Sequence, residues 1–343
     1  MPQPTPQPTP PALADAPVLA HVTRGGVVES AHRGTVAVTG PDGGLLRAWG
    51  AADDPVFPRS SNKPLQAVAM LRAGLELPAP HLALACASHS AEPFHLDGVR
   101  DMLTDAGLTE ADLQNTPDLP YDPDERDVWI AAGRVARPLA QNCSGKHAAM
   151  LATCRLNGWD LATYRDPSHP LQALMAATIE DLAGEPVAAT AVDGCGAPVM
   201  AVSLHGLARA FARIAAGDPG SPEGRVAEAM RARPDLVGGT RRDVTALMRG
   251  TPGLIAKDGA EAVYAAGLPD GRGVALKVAD GGQRARPVVL AAVLRLLGVE
   301  SAAYERLEDA PVLGHGRPVG AVVAALGPDD PAPEGPGAGS RMP

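Results

Sequence analysis

The stretch Arg59-Ser60-Ser61-Asn62-Lys63-Pro64 combines a helix start with a Ser-x-x-Lys spacing. Proline is tolerated only in the first turn of a helix, where backbone N–H groups have no carbonyl partner. We therefore expect a helix over 64–73, with Ser60 near its N-cap and Lys63 one turn later on the same face. A neutral lysine amine there can take the hydroxyl proton as serine attacks a carbonyl, and the helix N-terminus offers N–H groups to the oxyanion. A serine cap followed by a solvated lysine stays open as the alternative on this motif alone.

A second serine and a second lysine complete this pattern. Ser88 lies in the string Cys-Ala-Ser-His-Ser (86–90), and Lys257 lies in the string Ala-Lys-Asp-Gly. Ser-x-x-Lys amidohydrolases use a second hydroxyl and a lysine from a distant segment near the sheet. The chain order matches, so we expect two pairs, Ser60/Lys63 and Ser88/Lys257, to flank one pocket. The literal strings Ser-Asp-Asn and Lys-Thr-Gly are absent from these places, which disfavours a penicillin-recognising enzyme.

Lysine is rare in this chain. Only four of the 30 basic residues are lysines, and three of the four lie in Gly/Ser-rich or Gly/Asp-rich motifs. Arginine keeps its proton in proteins, whereas a desolvated lysine can lose it. For any single lysine, biased nucleotide composition remains an equal explanation. The four are Lys63, Lys146, Lys257 and Lys277; the last lies outside these motifs, and we expect it to form a structural ion pair.

Two cysteines lie in glycine-rich turns. Cys143 is in Asn-Cys-Ser-Gly-Lys-His (142–147), and Cys195 follows Asp193 in Asp-Gly-Cys-Gly. Two thiolates with a nitrogen donor can bind zinc, but without a Cys-x-x-Cys spacing a structural role is favoured. Asp193 could instead hold the ammonium group of a small substrate. A long chain without an export signal does not indicate a disulfide framework, so we expect four free thiols, with Cys86 and Cys154 in the core.

Composition excludes several classes of protein. The chain has 343 residues, a mass of 35.0 kDa and a net charge of -9, which argues against nucleic acid or an anionic membrane as the main partner. No apolar run approaches the roughly 18 residues of a membrane helix. Residues 1–11 lack both the basic and the apolar segments of a secretory signal, so we expect a cytoplasmic protein. The Pro-rich segment 1–16 and the segment 328–343 are predicted to be flexible tails around one domain over 17–327.

The hydrophobic periodicity predicts strands at both ends and helices between them. We expect a mixed α+β fold, with one mixed sheet and an inserted helical subdomain. A loop is predicted over 117–127, which is rich in proline and acidic residues. The predicted strands are 18–24, 27–39, 45–50, 187–192, 263–268 and 273–279, and the predicted helices are 64–73, 96–106, 147–157, 170–183, 198–216, 224–231 and 286–297.

Five separated motifs, in order, resemble the asparaginase II family of the Rhizobium etli type. The resemblance covers about residues 18–300 and implies hydrolysis of L-asparagine to aspartate and ammonia. It also implies a fold similar to serine β-lactamases and serine-dependent glutaminases, with an antiparallel sheet flanked by helices, and a homodimer. The motifs are Arg59–Pro64, Cys86–Ser90, Asn142–His147, Asp193–Cys195 and Lys257–Ala260, and Arg24–Arg33 resembles the family's first strand motif.

The resemblance also implies a role for each site residue. In the family, the zinc ion aids substrate affinity and does not attack the amide, and no organic cofactor is implied. The residues that match are Ser60, Lys63, Ser88 and Lys257 for the two catalytic Ser–Lys tandems, Cys143, Lys146 and Cys195 for zinc, and Arg59, His147 and Asp193 for other pocket positions.

We expect Ser60 to attack the side-chain amide with Lys63 as base, although either serine could be the nucleophile because each has a lysine partner. Asp193 would then pair with the substrate ammonium, and Arg59 or His147 with its carboxylate. Three alternatives stay open: a glutaminase or β-lactamase-like acyl-transfer enzyme, a zinc-dependent hydrolase, and a non-catalytic amino-acid or zinc sensor.

Overall fold

The computed structural model describes residues 15–327. The predicted flexible tails fall outside these residues, except for Asp15 and Ala16. Ala16 is buried, and its carbonyl accepts a hydrogen bond from Arg33 at 2.8 Å. Within the described residues, no helix is long and apolar enough to cross a membrane.

Residues 15–327 form eleven strands and twelve α-helices. The strands are β1 (Val18–Arg24), β2 (Val27–Thr39), β3 (Leu45–Trp49), β4 (Pro55–Val56), β5 (Ala189–Val192), β6 (Pro198–Ser203), β7 (Ile255–Asp258), β8 (Val263–Gly267), β9 (Gly273–Val278), β10 (Pro311–Gly314) and β11 (Arg317–Ala324). The helices are α1 (Lys63–Arg72), α2 (Ala79–Ala85), α3 (Pro93–Asp105), α4 (Pro123–Ala131), α5 (Ser144–Asn157), α6 (Pro170–Ala183), α7 (Leu204–Ala215), α8 (Pro222–Ala232), α9 (Pro234–Val237), α10 (Asp243–Gly250), α11 (Arg286–Leu296) and α12 (Tyr304–Glu308).

The main sheet has the strand order β10-β11-β1-β2-β9-β8-β7, with β3 also paired to β2. Its strand pairs are antiparallel, and the long strand β2 pairs with β1 through its first half and with β9 and β3 through its second half. The α+β class is therefore confirmed, and so is the antiparallel sheet flanked by helices. The mixed sheet expected from element order alone is wrong. A small second sheet has the order β4-β6-β5.

Helix α7 packs directly on the main sheet because two strand residues there are glycines. A Cβ atom at Gly267 would lie 2.1 Å from the carbonyl oxygen of Phe211, and one at Gly273 would lie 2.0 Å from that of Ala208. Both oxygens belong to the backbone of α7, so any side chain at either glycine would push the helix away. These glycines set the distance between the helix and the sheet.

The Ser-x-x-Lys stretch spans two elements. Residues Arg59–Asn62 form a single 3₁₀ turn, and α1 begins at Lys63 with Pro64 in its first turn, as predicted. Ser60 lies inside the 3₁₀ turn, and its carbonyl accepts the N–H of Lys63. It therefore does not occupy the helix cap that we expected, which falls at Asn62.

Two predicted elements are wrong. The helix predicted over 198–216 divides into β6 and α7, because Ser203 ends the strand and its hydroxyl caps the helix by accepting the N–H of Gly206 at 2.8 Å. The loop predicted over 117–127 contains the start of α4, whose N-cap Asp122 accepts the N–H groups of the first turn. The N-terminal meander and the β8–β9 hairpin are confirmed.

Candidate active site

Lys63 and Ser88 meet where two helices approach each other. Lys63 opens α1, Ser88 follows α2, and Lys63 Nζ donates a hydrogen bond to Ser88 Oγ at 3.1 Å and another to the carbonyl of Ala87. Both side chains are buried, and Lys63 is 1% exposed. The structure thus gives Lys63 the Ser88 hydroxyl as its partner, where the sequence predicted Ser60.

Ser60 is the more accessible of the two candidate serines. It is half-buried, whereas Ser61, Asn62 and Lys63 after it are buried. The residue before it, Arg59, has φ +52°, a left-handed conformation that costs a non-glycine residue about 1–3 kcal/mol. Such strain persists where the surrounding structure enforces it, and here it presents the following serine to the outside.

Lys257 lies on strand β7 and is fully buried. Its Nζ donates to Asp258 Oδ1 and to the Asp258 carbonyl, both at 2.7 Å, so its partner is Asp258 and not the predicted Ser88. Burial lowers the pKa of Lys257 to about 8, although the Asp258 carboxylate opposes this. The carbonyl of Lys257 accepts a hydrogen bond from Ser61 Oγ at 3.0 Å, which joins β7 to the turn that carries Ser60.

Arg59 and Asp193 form an ion pair beside Ser60. Arg59 Nε lies 2.7 Å from Asp193 Oδ1, and the N–H of Gly194 donates to the same oxygen at 2.9 Å. Asp193 opens the turn between β5 and β6, where its N–H donates to the carbonyl of Ala197 at 2.9 Å. Two of the three predicted substrate-binding residues, Arg59 and Asp193, therefore contact each other.

The predicted zinc residues also converge. Cys143 immediately precedes α5, Lys146 lies in the first turn of that helix, and Lys146 Nζ is 3.3 Å from Cys195 Sγ. A hydrogen bond from Cys143 lowers the pKa of Cys195 far below its usual value, against burial and with help from Lys146. Although burial disfavours the ammonium, Cys195 and Cys143 raise the pKa of Lys146. These opposite shifts favour positive charge on Lys146 and negative charge on Cys195. All four cysteines are buried and form no disulfide, as predicted: Cys86, Cys143, Cys154 and Cys195.

His147 is fully buried behind this cluster. Its Nδ1 is 2.6 Å from the hydroxyl of Tyr164, and its Nε2 is a buried atom without a hydrogen-bond partner. Burial lowers the pKa of His147 to about 4, with Cys195 opposing this, so the ring is neutral. This position places it beside the cysteine cluster, away from solvent.

Sequence reasoning did not identify Arg242 or Asp258. Asp258 forms ion pairs with Lys257 at 2.7 Å and with Arg242, and it is buried. The signal for Asp258 was its place directly after Lys257 in a recognised motif. Arg242 gave no signal, because it lies outside the motifs and reaches the site only through the fold.

The site contains a serine in a strained turn and two buried lysines. Hydrolases that attack a carbonyl carbon with a serine hydroxyl use these groups. The particular family follows from the sequence match: the family model for L-asparaginase II matches residues 20–324. The chain belongs to the L-asparaginase II family, as the motifs predicted, and it is a hydrolase that acts on amides. No curated protein sequence matches it significantly.

Several solved structures are similar to this chain. The protein Mglu in its native form is 16% identical over 82% of this chain and 63% of its own length, with a TM-score of 0.36. A beta-lactamase from Mycobacterium bovis is 16% identical over 83% of this chain and 97% of its own, with a TM-score of 0.38. A Bacillus glutaminase is 11% identical over 78% of this chain and 91% of its own, with a TM-score of 0.40. The family assignment rests on the sequence match alone.

Proposed function

We propose that the protein is an L-asparaginase, which hydrolyses the side-chain amide of L-asparagine to L-aspartate and ammonia. The observation that carries this proposal is the Arg59–Asp193 ion pair at 2.7 Å, in which Arg59 immediately precedes Ser60 in the chain. An amino acid brings one carboxylate and one ammonium, and these can replace the two partners of an ion pair without leaving a buried charge alone. The family supplies the amide chemistry.

In the proposed reaction, Ser60 Oγ attacks the side-chain amide carbon while Lys63 Nζ accepts the hydroxyl proton. The carbon–nitrogen bond then breaks, and the nitrogen leaves as ammonia after it receives a proton through the Ser88 hydroxyl, which Lys63 contacts at 3.1 Å. Water then attacks the ester carbon, the bond from that carbon to Ser60 Oγ breaks, one water proton passes through Lys63 to Ser60 Oγ, and aspartate is released. Ser60 is our nucleophile because it is the more accessible serine.

The α-groups of the substrate orient the amide in this proposal. Asp193 would accept the α-ammonium, and Arg59 would donate to the α-carboxylate from the residue adjacent to the nucleophile. Charge-assisted hydrogen bonds of this kind are stronger than neutral ones, so they fix the amide against Ser60. The ring of His147 is neutral and buried. In this proposal His147 would therefore support the cysteine cluster from its inner side.

The cysteine cluster fits a zinc ion. Within residues 15–327, no three His, Cys, Asp or Glu side chains are close enough together to hold a metal. Lys146 lies outside that set, however, and its Nζ is 3.3 Å from Cys195 Sγ, so its nitrogen could join the two sulfurs as a ligand once it releases its proton. Cys143, Cys195 and Lys146 would hold the ion. When bound, it would supply positive charge for the substrate carboxylate.

The test is ammonia release from L-asparagine and L-glutamine by the purified protein. Ser60→Ala is assayed beside Ser168→Ala, a control whose serine is exposed and hydrogen-bonds to Asp166 in its own loop. We expect turnover of L-asparagine that Ser60→Ala reduces by several orders of magnitude, on the scale of about 10⁴-fold or more, and that Ser168→Ala leaves intact.

Three results would contradict the proposal. Faster turnover of L-glutamine would indicate a glutaminase, and rapid hydrolysis of a chromogenic β-lactam would indicate a β-lactamase-like enzyme. Binding of L-asparagine without ammonia release, in folded and zinc-loaded protein, would indicate a sensor.

A further inference from the structure

A buried cluster of charges lies directly behind Lys257. Asp258 Oδ1 accepts from Lys257 at 2.7 Å, while Oδ2 forms an ion pair with Arg242 and lies 3.5 Å from Arg286. The side chains of Asp258, Arg242 and Arg286 are 5%, 11% and 6% exposed. A carboxylate so enclosed is stable only because its partners are fixed, so the cluster is a rigid unit.

Arg242 also reaches the other half of the site. Arg242 Nη1 donates to the carbonyl of Ser88 at 3.4 Å. The guanidinium carbon of Arg242 also lies over the ring of Tyr121, 4.5 Å from its centroid. One side chain therefore contacts the backbone of Ser88 and the carboxylate that holds Lys257. This is the direct side-chain connection between the two predicted tandem residues.

The loop that carries Arg242 is itself clamped to the Ser88 loop. Glu92 accepts from the N–H and from the hydroxyl of Thr240, both at 2.8 Å, and Ser90 Oγ donates to the carbonyl of Gly238 at 3.0 Å. These bonds fix the loop just before Arg242, so the guanidinium does not have to be ordered when substrate binds.

The candidate catalytic groups thus form a closed ring. Lys63 contacts Ser88, and Arg242 links Ser88 to Asp258, which holds Lys257. The carbonyl of Lys257 accepts a hydrogen bond from Ser61 in the turn that carries Ser60. The carbonyl of Ser60 in turn accepts the N–H of Lys63, which closes the ring.

We propose that Arg242 and Asp258 are positioning residues, which hold Ser88 and Lys257 in the single arrangement that amide hydrolysis requires. The proposal rests on the proposed function and adds to it two residues outside the Ser–Lys tandems. Asp258 fixes the Lys257 side chain, and Arg242 fixes the distance between that lysine and the Ser88 backbone. Neither contacts the reacting atoms in this proposal.

The charges explain why Asp258 in particular is required. Without its carboxylate, the Lys257 ammonium would lose its own ion-pair partner and would face Arg242 and Arg286, whose other carboxylate partner is Asp243 at 4.0 and 3.5 Å. The amine would then move away or lose its proton. Without Arg242, the carboxylate keeps Lys257 and Arg286, but the connection to Ser88 is lost. We therefore expect Arg242 variants to fold more readily than Asp258→Asn.

The experiment compares Arg242→Gln and Arg242→Lys with the matched control Arg241→Gln. Arg241 is the preceding residue; its side chain is 44% exposed and binds the buried Asp122 and also Glu125. Two readouts are taken: kcat and KM with L-asparagine, and the rate at which a fluorophosphonate probe labels Ser60, located by peptide mass spectrometry.

We expect Arg242→Gln to lower kcat and the labelling rate by about 100-fold while KM changes by less than about threefold, since misplacement of a catalytic group by about 1 Å costs that much. Arg242→Lys should recover part of kcat and part of the labelling rate, because an ammonium can bind Asp258 but cannot also hold Ser88. Arg241→Gln should match the wild type. A folded Arg242→Gln with wild-type kcat and labelling would overturn the proposal.

Two further measurements keep the proposal testable. If Arg242→Gln does not fold, Asp258→Glu retains the charge but displaces Lys257 by one methylene, and wild-type kcat in that variant overturns the proposal. If the wild type is labelled at Ser60 yet releases no ammonia from L-asparagine, the asparaginase proposal fails, and the labelling rates alone then decide the role of Arg242. A wild type that is labelled at no serine overturns both.

Discussion

Lys63 Nζ contacts Ser88 Oγ at 3.1 Å, although the two residues are 25 positions apart in the chain. Ser60, three positions before Lys63, lies in a separate 3₁₀ turn. The lysine of the Ser-x-x-Lys motif therefore has a second hydroxyl as its ground-state partner. Such an arrangement gives the proton of an attacking serine a path through Lys63 and Ser88 to the leaving nitrogen.

The first prediction separates the roles of the two serines. With L-asparagine and added hydroxylamine, the wild type should form aspartate β-hydroxamate, because hydroxylamine captures the ester on the nucleophile. Ser60→Ala should form none, whereas Ser88→Ala should still form it at a rate lowered by about 10²–10⁴-fold, the contribution of one general acid–base group. Hydroxamate from Ser60→Ala but not from Ser88→Ala would exchange the two roles.

The second prediction concerns the Arg59–Asp193 pair. Asp193→Asn should raise KM for L-asparagine by about 10–100-fold with a smaller change in kcat, since a hydrogen bond to a charged group contributes about 1.5–3 kcal/mol. Succinamate, which is asparagine without its α-amino group, is the control substrate. The KM for succinamate should change little in Asp193→Asn, because succinamate has no ammonium for Asp193 to bind. Equal losses for both substrates would show that Asp193 does not contact the α-ammonium.

The local signals in the sequence predicted much of this architecture. Pro64 predicted the start of α1, and turn glycines predicted the meander of β1, β2 and β3. Residues 198–203 were assigned to a helix because six apolar and small residues fit either structure. Their strand conformation depends on pairing with β5 and β4, which the local sequence does not contain.

The motifs predicted which residues approach each other, but not which atoms bond. Arg59 and Asp193 come from separate motifs, and in the fold their side chains form an ion pair. The Ser60/Lys63 pairing assumed one continuous helix, whereas the chain changes from a 3₁₀ turn to an α-helix at Lys63. Lys277 was expected in an ion pair, yet its Nζ donates to the carbonyl of Glu261 at 2.9 Å. Backbone carbonyls as partners leave no trace in a sequence.

The third prediction tests the contact between α7 and the sheet. Gly273→Ala should destabilise the protein by about 1–3 kcal/mol, the usual cost of overpacking, because its Cβ would lie 2.0 Å from the Ala208 carbonyl. Gly44→Ala is the control, since the nearest atom to its Cβ would belong to the side chain of Asp42, at 3.3 Å. Urea unfolding measures both. Equal midpoints for the two variants would show that α7 can shift without cost.

The fourth prediction follows from burial of Lys257. Its pKa is about 8 in the folded protein against an ordinary value of 10.5, so between these pH values the unfolded chain holds a proton that the folded protein has released. Stability from this group therefore rises as pH increases through that window, and it is lost as pH falls through about 8.

Lys257→Met isolates this contribution. The free energy of unfolding of the wild type minus that of the variant should increase by on the order of 3 kcal/mol across the window. Urea unfolding at a series of pH values measures the difference, and other titrating groups largely cancel. A constant difference, or one that decreases with pH, would show that Lys257 keeps its proton throughout.

The fifth prediction concerns zinc. Purified protein should bind zinc, and Cys195→Ser should weaken that binding by at least about 100-fold, because the thiolate is replaced by a neutral hydroxyl. Cys154→Ala is the matched control, since Cys154 is a buried free thiol outside the cluster.

If zinc only attracts the substrate, Cys195→Ser and zinc chelation should each raise KM for L-asparagine and leave kcat within about threefold. Loss of kcat on chelation, at saturating L-asparagine, would place the ion in the chemical step and favour the zinc-dependent hydrolase. Zinc binding that survives in Cys195→Ser but is lost in Cys154→Ala would place the metal elsewhere in the protein.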